Sequence, residues 1–341
     1  MMKWKSVFVF LLVSTLTLLF YWSSVTIFDQ RGGQFVIIPR IVSVSRGLKE
    51  TFDGWKSISR TLRETQEARK RSIKNYCQKH SSNRRLTDQE LRFVIVEDTH
   101  KIIFCSIPKV ASTTWKRVLA DLQGLKQGIY VHQARLWRRL GEYSEEGQSH
   151  RLKNYFKFMF VREPLHRILS AYKDKFIGKN RDFSKNIRKM IVNSLRSENS
   201  VEYGQDMKVF SRKPSFDKDN NVSFPEFIRY YSADIPRNPH WRQFKDLCHP
   251  CFIDYDVIGN LETLAEDATL VLKMAGIDDY VNFPPIHNAT GSRDMEHYYS
   301  QVPHEDVVRL AELYRDDYKL FGYEFLGPVK HLLNQSSNIG V

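Results

Sequence analysis

The residues best suited to chemistry fall in two short stretches. Pro108-Lys109-Val110-Ala111-Ser112-Thr113-Thr114 sets a lysine and three hydroxyl side chains at the start of a helical pattern. The first turn of a helix leaves backbone N–H groups without partners and carries the positive end of the dipole, so it attracts anions. The hydroxyls add hydrogen bonds and the lysine a full charge, as a phosphate-binding loop requires. A Ser/Thr-capped helix beside an exposed lysine would share this pattern. The second stretch favours the phosphate reading. Val161-Arg162-Glu163-Pro164 puts an arginine at the end of an apolar run, and Ser170 follows about two helical turns later, a pair able to clamp a second phosphate. No GxxxxGK[ST] occurs, which disfavours a magnesium-dependent P-loop kinase.

Both stretches need a strand to deliver them and a helix to receive them. Residues 101–106 read as a strand, 108–113 as a loop and 114–122 as a helix with Trp115, Val118, Leu119 and Leu122 on one face. Residues 156–161 read as a second strand, 162–164 as a turn and 165–175 as a helix. Short apolar runs, such as Phe93-Val94-Ile95-Val96, alternate with amphipathic segments from Leu91 onward. That alternation predicts an α/β domain with a central, mainly parallel sheet flanked by helices. In such sheets ligands gather where strands end and helices begin.

The wider composition narrows the setting. With 42% hydrophobic and 13% aromatic residues among 341, the chain can bury a core, so wholesale disorder is excluded. Lys and Arg number 52 against 39 Asp and Glu, a net charge of +13 that calls for a polyanionic partner. Residues 6–28 form a run of 23 without a charge, preceded by Lys3 and Lys5. That run is long enough to span a membrane and is oriented with residues 1–5 in the cytoplasm and the rest lumenal. A cleaved signal peptide would need a shorter apolar core and a better cleavage site than Ser23-Ser24-Val25. The sequons at Asn221, Asn288 and Asn334 agree with lumenal exposure. There, an acidic glycan rather than nucleic acid is the expected partner.

Four cysteines, Cys77, Cys105, Cys248 and Cys251, in an oxidising compartment predict at least one disulfide among three complete pairings, with Cys105 also readable as a buried free thiol. Cys248-His249-Pro250-Cys251 lacks the second ligand pair of a zinc site, so no metal is expected. Residues 29–88, rich in charge and sparse in apolar positions, read as a solvated stem, in part helical around 57–75. The catalytic domain is then 89–327 and the C-terminal tail 328–341.

Three ordered motifs resemble the Golgi carbohydrate sulfotransferases of the HNK-1 and chondroitin/dermatan 4-O-sulfotransferase family. They are Ile107-Pro108-Lys109 through Trp115-Lys116, Phe158 through Val161-Arg162-Glu163-Pro164 to Ser170-Ala171-Tyr172, and His240-Trp241 through Cys248 and Cys251 to Glu262-Thr263-Leu264. The likeness covers about residues 89–327. It implies a sulfotransferase fold on a type II Golgi membrane anchor and transfer of a sulfuryl group from 3′-phosphoadenosine 5′-phosphosulfate (PAPS) to a sugar hydroxyl. It also implies that Lys109, Ser112, Thr113 and Thr114, flanked by Pro108 and Trp115, hold the 5′-phosphosulfate, and that Arg162 and Ser170 hold the 3′-phosphate. Ser112-Thr113-Thr114 departs slightly from the family's commoner Cys-Thr-Asn or Gly-Asn-Thr but keeps its hydroxyls.

Lys109 would neutralise the leaving oxygen in a loose in-line transfer. His132 resembles a histidine that follows the phosphate loop in the family and is the expected general base, with His166, Glu163 and His240 as alternatives. Arg135, Arg138, Arg139, Lys153, Lys185, Arg188 and Lys189 are candidates for an acidic acceptor groove, and Arg293 for a further cofactor contact. The acceptor is a GalNAc 4-OH of chondroitin or dermatan, or a terminal glucuronate 3-OH as in HNK-1. A non-catalytic glycan-binding protein of the same fold is the rival reading, disfavoured by intact Lys109, Arg162 and Ser170.

Overall fold

The computed structural model describes residues 24–28, 35–39, 59–80, 84–125, 128–177, 181–198, 222–232, 238–285 and 291–335. Two strands, β1 (Ser24–Phe28) and β2 (Phe35–Pro39), pair antiparallel. Residues 6–23 of the expected membrane span lie outside the described residues, and its last five are strand β1 instead of helix. Among the described residues no helix is long and apolar enough to cross a membrane.

The body follows as α1 (Arg60–His80), β3 (Val94–Glu97), β4 (Ile102–Cys105), α2 (Ser112–Leu122), β5 (Arg138–Arg139), α3 (Glu145–Asn154), β6 (Phe156–Val161) and α4 (Pro164–Tyr172). Then come α5 (Arg181–Glu198), α6 (Phe224–Ser232), α7 (Lys245–Cys248), β7 (Val257–Asn260), α8 (Leu264–Met274), α9 (Ser292–Tyr299), α10 (His304–Leu313), α11 (Arg315–Phe321) and α12 (Lys330–Gln335). Asn334 falls in α12, whereas Asn221 and Asn288 lie outside the described residues.

Five strands form one sheet in the order β5-β3-β4-β6-β7. It is mixed, which corrects the mainly parallel expectation: β4, β6 and β7 run parallel, but β3 is antiparallel to both β4 and β5. The β3 and β4 runs are apolar but for Glu97 at the end of β3, and every residue of each is buried, so their patterns could not reveal direction. The parallel half carries both strand–loop–helix units. Gly259 on β7 is required there, since a Cβ would lie 2.3 Å from the Phe160 ring of β6. One apolar cluster surrounds the sheet with α2 and α8, and a second gathers α4, α5, α6, α9, α10 and α11.

The segment expected as a solvated spacer contains α1, which is packed onto the domain. Its Gln66 is fully buried and closes the free edge of β7, accepting from Ile258 N (3.1 Å) and donating to Ile258 O (3.1 Å). Arg69 donates to both oxygens of buried Asp267 at 2.8 Å, and Ser72 donates to Lys319 O at 2.8 Å. Gln66 and Arg69 interrupt the apolar positions Leu62, Ile73 and Tyr76 that also pack on the core, so α1 lacks the continuous stripe that marks a core helix.

All four cysteines are paired, Cys77 with Cys251 and Cys105 with Cys248. Cys105 is therefore not a free thiol. The first bridge ties α1 to the body, and the second ties the end of β4 to α7. Cys77→Ser is expected to cost about 2–5 kcal/mol, read as a lowered calorimetric Tm.

Candidate active site

β4 and β6 are parallel neighbours, so the loops leaving their C-terminal ends open side by side. The first loop, 106–111, bends sharply: Lys109 (φ 72°) and Ala111 (φ 62°) are both left-handed, at a cost of roughly 1–3 kcal/mol each. Buried Ile107 and Val110 pin it from within, and the Cys105–Cys248 bridge holds its entry. Arg167 of α4, only 1% exposed, grips it from behind. Its guanidinium donates to Pro108 O (3.2 Å), Pro239 O (2.8 Å) and Arg242 O (2.5 Å). α2 begins at Ser112 with Ala111 offering no side-chain cap, so the N–H groups of its first turn suit an anion.

A cleft of about 1600 Å³ opens over this loop. Pro108, Lys109, Ser112, Thr113, Thr114, His132, Arg162 and Ser170 all line it, so sequence-distant candidates meet in one place. Trp115 does not line it. Its ring is fully buried against Phe104, Phe158, Phe160 and Phe283, and its amide donates to Ala111 O at 3.0 Å. It belongs to the core beneath the loop, where burial contributes roughly 3 kcal/mol.

The walls are mostly cationic: Arg92, Lys109, Lys116, Arg139, Arg162 and Lys175 face Asp174, Glu262 and Asp278. Lys109 Nζ lies 3.2 Å from Asp174 Oδ2. Burial lowers the Lys109 pKa below the ordinary lysine value, and Asp174 opposes that fall only in part. Lys116, one helical turn below Ser112, is pulled down to about 8 by burial and by Arg139. Arg162 is also lowered by burial, against the attraction of Glu262 and Glu163. Glu262 in turn accepts from Glu163 N (2.9 Å) and from the Tyr323 hydroxyl (3.0 Å), which fixes the carboxylate beside the arginine.

The four candidate bases separate clearly. Glu163 caps α4 through His166 N (2.7 Å), accepts from the Tyr318 hydroxyl (2.9 Å) and pairs with His166 Nδ1 (3.0 Å), so both residues serve the helix start. His240 lines the cleft, but burial, then Lys175 and Lys109, push its pKa down to about 3, too weak a base near neutral pH. His132 lines the cleft with its Nε2 3.2 Å from Thr113 Oγ1. Burial, then Lys116 and Lys175, place its pKa below the usual histidine value.

Of the groove candidates, Arg139 lines the cleft, whereas Arg138 lies over the Tyr143 ring at 3.9 Å. Arg188 is buried and donates to Phe176 O, so it supports the fold and not an acceptor. Arg135, Lys153, Lys185, Lys189 and Arg293 are exposed and lie outside the cleft lining. Sequence reading missed Arg92, Asp174 and Lys175, and it quoted Lys116 and Glu262 without a role. The i,i+4 spacing of Ser112 and Lys116 was the one local signal available.

A fold that brings a strand-end lysine loop and a strand-end arginine together in a cationic cleft defines a sulfuryl- or phosphoryl-transfer protein. The sulfotransferase family matches residues 92–324, and the chain belongs to that family as a sulfotransferase enzyme. It is similar to carbohydrate sulfotransferase 11 of Rattus norvegicus, 33% identical over 279 residues that cover 75% of each chain. Carbohydrate sulfotransferase 12 of Mus musculus is 36% identical over 296 residues, 76% of this chain and 69% of its own. Carbohydrate sulfotransferase 14 of Danio rerio is 34% identical over 275 residues, 76% and 71% respectively. No solved structure matches.

Proposed function

We propose that the enzyme moves a sulfuryl group from PAPS to a sugar hydroxyl of an acidic glycan, the GalNAc 4-OH of chondroitin or dermatan. The observation that carries this reading is the convergence of Lys109 and the Ser112–Thr114 hydroxyls with Arg162, Ser170 and His132 around one cationic cleft. The relatives' designation as carbohydrate sulfotransferases supports a sugar acceptor.

The residues present fit a donor with two anionic ends. The left-handed loop and the start of α2 offer N–H groups and hydroxyls to one end, and Arg162 with Ser170 would hold the other. Bound PAPS supplies an activated sulfuryl group whose departing oxygen gains negative charge. Lys109, which lines the same cleft, would neutralise that oxygen with its ammonium. His132 Nε2, whose present partner is the Thr113 hydroxyl, takes the proton of the acceptor hydroxyl. Lys116, Arg139 and Arg92 attract the acceptor's carboxylates or sulfates. Two disulfides support an oxidising lumen, and with residues 6–28 they fit a type II Golgi membrane enzyme.

The base must be neutral to act, so kcat/KM is lost as pH falls through the His132 pKa. Because that pKa is depressed, the acid limb is expected below pH 6.5, and His132→Asn should abolish the limb together with most turnover. Labelled PAPS with the full-length chain and desulfated chondroitin, dermatan and a glucuronate-terminated glycan tests the whole reading. Label at the GalNAc 4-position supports it. Label on the glucuronate glycan alone overturns the acceptor assignment, and no binding of the donor product by folded protein overturns the PAPS assignment.

A further inference from the structure

α4 passes directly into a single π-helical turn, Lys173–Ile177. Such turns reset the side-chain register and recur at functional sites. Here the turn separates three consecutive charges. Lys173 reaches Asp294 (2.9 Å) on α9, whereas Asp174 and Lys175 enter the cleft. Asp174 Oδ2 lies 3.2 Å from Lys109 Nζ and 3.2 Å from Lys175 Nζ, so one carboxylate oxygen bridges two ammonium groups.

We infer that Asp174 is a positioning residue that stands in the resting cleft where an anionic group of the sulfuryl donor will stand, holding Lys109 and Lys175 until the donor displaces it. The inference rests on the PAPS reading and assigns a role to a residue outside it. Lys109 is faced by Asp174 and Lys175 from the π turn, by Arg162 from the end of β6 and by His240 from the segment before α7. Asp174 is the one acidic group among these four. Without it, clustered cations in a partly buried site would repel one another and the lysine would tend to lose its proton. Burial works against the Asp174 carboxylate, but Lys109 and Lys175 outweigh it and keep its pKa below the usual range, so it stays charged through neutral pH. An incoming phosphosulfate offers the same charge to the same two ammonium groups, and the carboxylate then opposes binding until it gives way.

The test compares the full-length, detergent-solubilised wild type with Asp174→Asn, using adenosine 3′,5′-bisphosphate as the probe of donor binding and sulfate transfer to desulfated chondroitin as the activity. D174N should bind the bisphosphate about tenfold tighter, because a competing charge has gone. Lys109 acts protonated, so kcat/KM falls as pH rises through its free-enzyme pKa. Removing the carboxylate lowers that pKa and moves the alkaline limb of kcat/KM to lower pH. The limb of kcat should stay in place, since the donor has already replaced Asp174 in the complex.

Asp174→Glu should restore both properties. Lys175→Met removes a like charge from Lys109 and should move the kcat/KM limb the opposite way, with weaker bisphosphate binding. Unchanged bisphosphate affinity and an unmoved limb in D174N would make Asp174 a purely structural partner and overturn the inference. If D174N does not fold, an unmoved limb in K175M overturns it equally. A wild type that binds no bisphosphate removes the PAPS reading itself, an outcome distinct from either.

Discussion

Lys109→Ala is expected to lower the rate of sulfuryl transfer by roughly a thousandfold while the protein still folds. The side chain projects into the cleft from a loop that others hold: Ile107 and Val110 anchor it below, and Arg167 and the Cys105–Cys248 bridge fix its ends. On the role proposed for it, removing the ammonium would take away charge at the departing oxygen without loosening the loop. The left-handed backbone at position 109 is as strained for alanine as for lysine, so the conformational cost is shared by both forms. Steady-state kinetics with thermal unfolding alongside decide the matter. A loss of less than tenfold with an unchanged Tm would mean that another cation, such as Lys175, neutralises the oxygen.

A large effect on stability is expected from Arg167→Met. This arginine is buried and donates to three carbonyls from two separate loops while its guanidinium lies 4.4 Å from the centre of the Phe244 ring. Methionine fills similar space but leaves the carbonyls of Pro108, Pro239 and Arg242 without that donor. It also strips a positive neighbour from buried Asp317, whose pKa burial already raises to about 7. A loss of about 4 kcal/mol follows from the three unmet hydrogen-bond acceptors and the carboxylate's lost positive neighbour, equivalent to a Tm lower by roughly 10 °C. Because Pro108 precedes Lys109, binding of adenosine 3′,5′-bisphosphate should weaken well below the unfolding temperature. Calorimetry and titration read the two effects separately, and an unchanged Tm would show that water replaces the guanidinium.

Both strand–loop–helix units were legible because each is written locally. The strand Phe156–Val161 is six residues of mostly apolar sequence ended by Arg162 and a proline, and the helix after Lys109 is announced by three consecutive hydroxyls. What escaped depends on contacts between distant residues. Gln66 and Arg69 look like spacer residues until Ile258 and Asp267, about 190 to 200 residues later, give them partners. Asp174 and Lys175 fit an ordinary amphipathic helix, and only the π turn aims them at Lys109. Trp115 carried two readings, and its spacing with Val118 and Leu119 was the sounder guide: the apolar face of α2 took it into the core.

The two disulfides are nested, the pair separated by 143 residues lying inside the pair separated by 174. A chain made from its N-terminus exposes Cys77 and Cys105 to oxidation long before Cys248 and Cys251 exist, while β7, which α1 must cover, is also still unmade. In an oxidising lumen the first crosslink open to the nascent chain would be the wrong one, Cys77 to Cys105, and any that formed would have to be broken by thiol exchange before α1 could dock. Yield of active enzyme should accordingly follow the supply of disulfide isomerase in the producing cell more closely than the rate of synthesis.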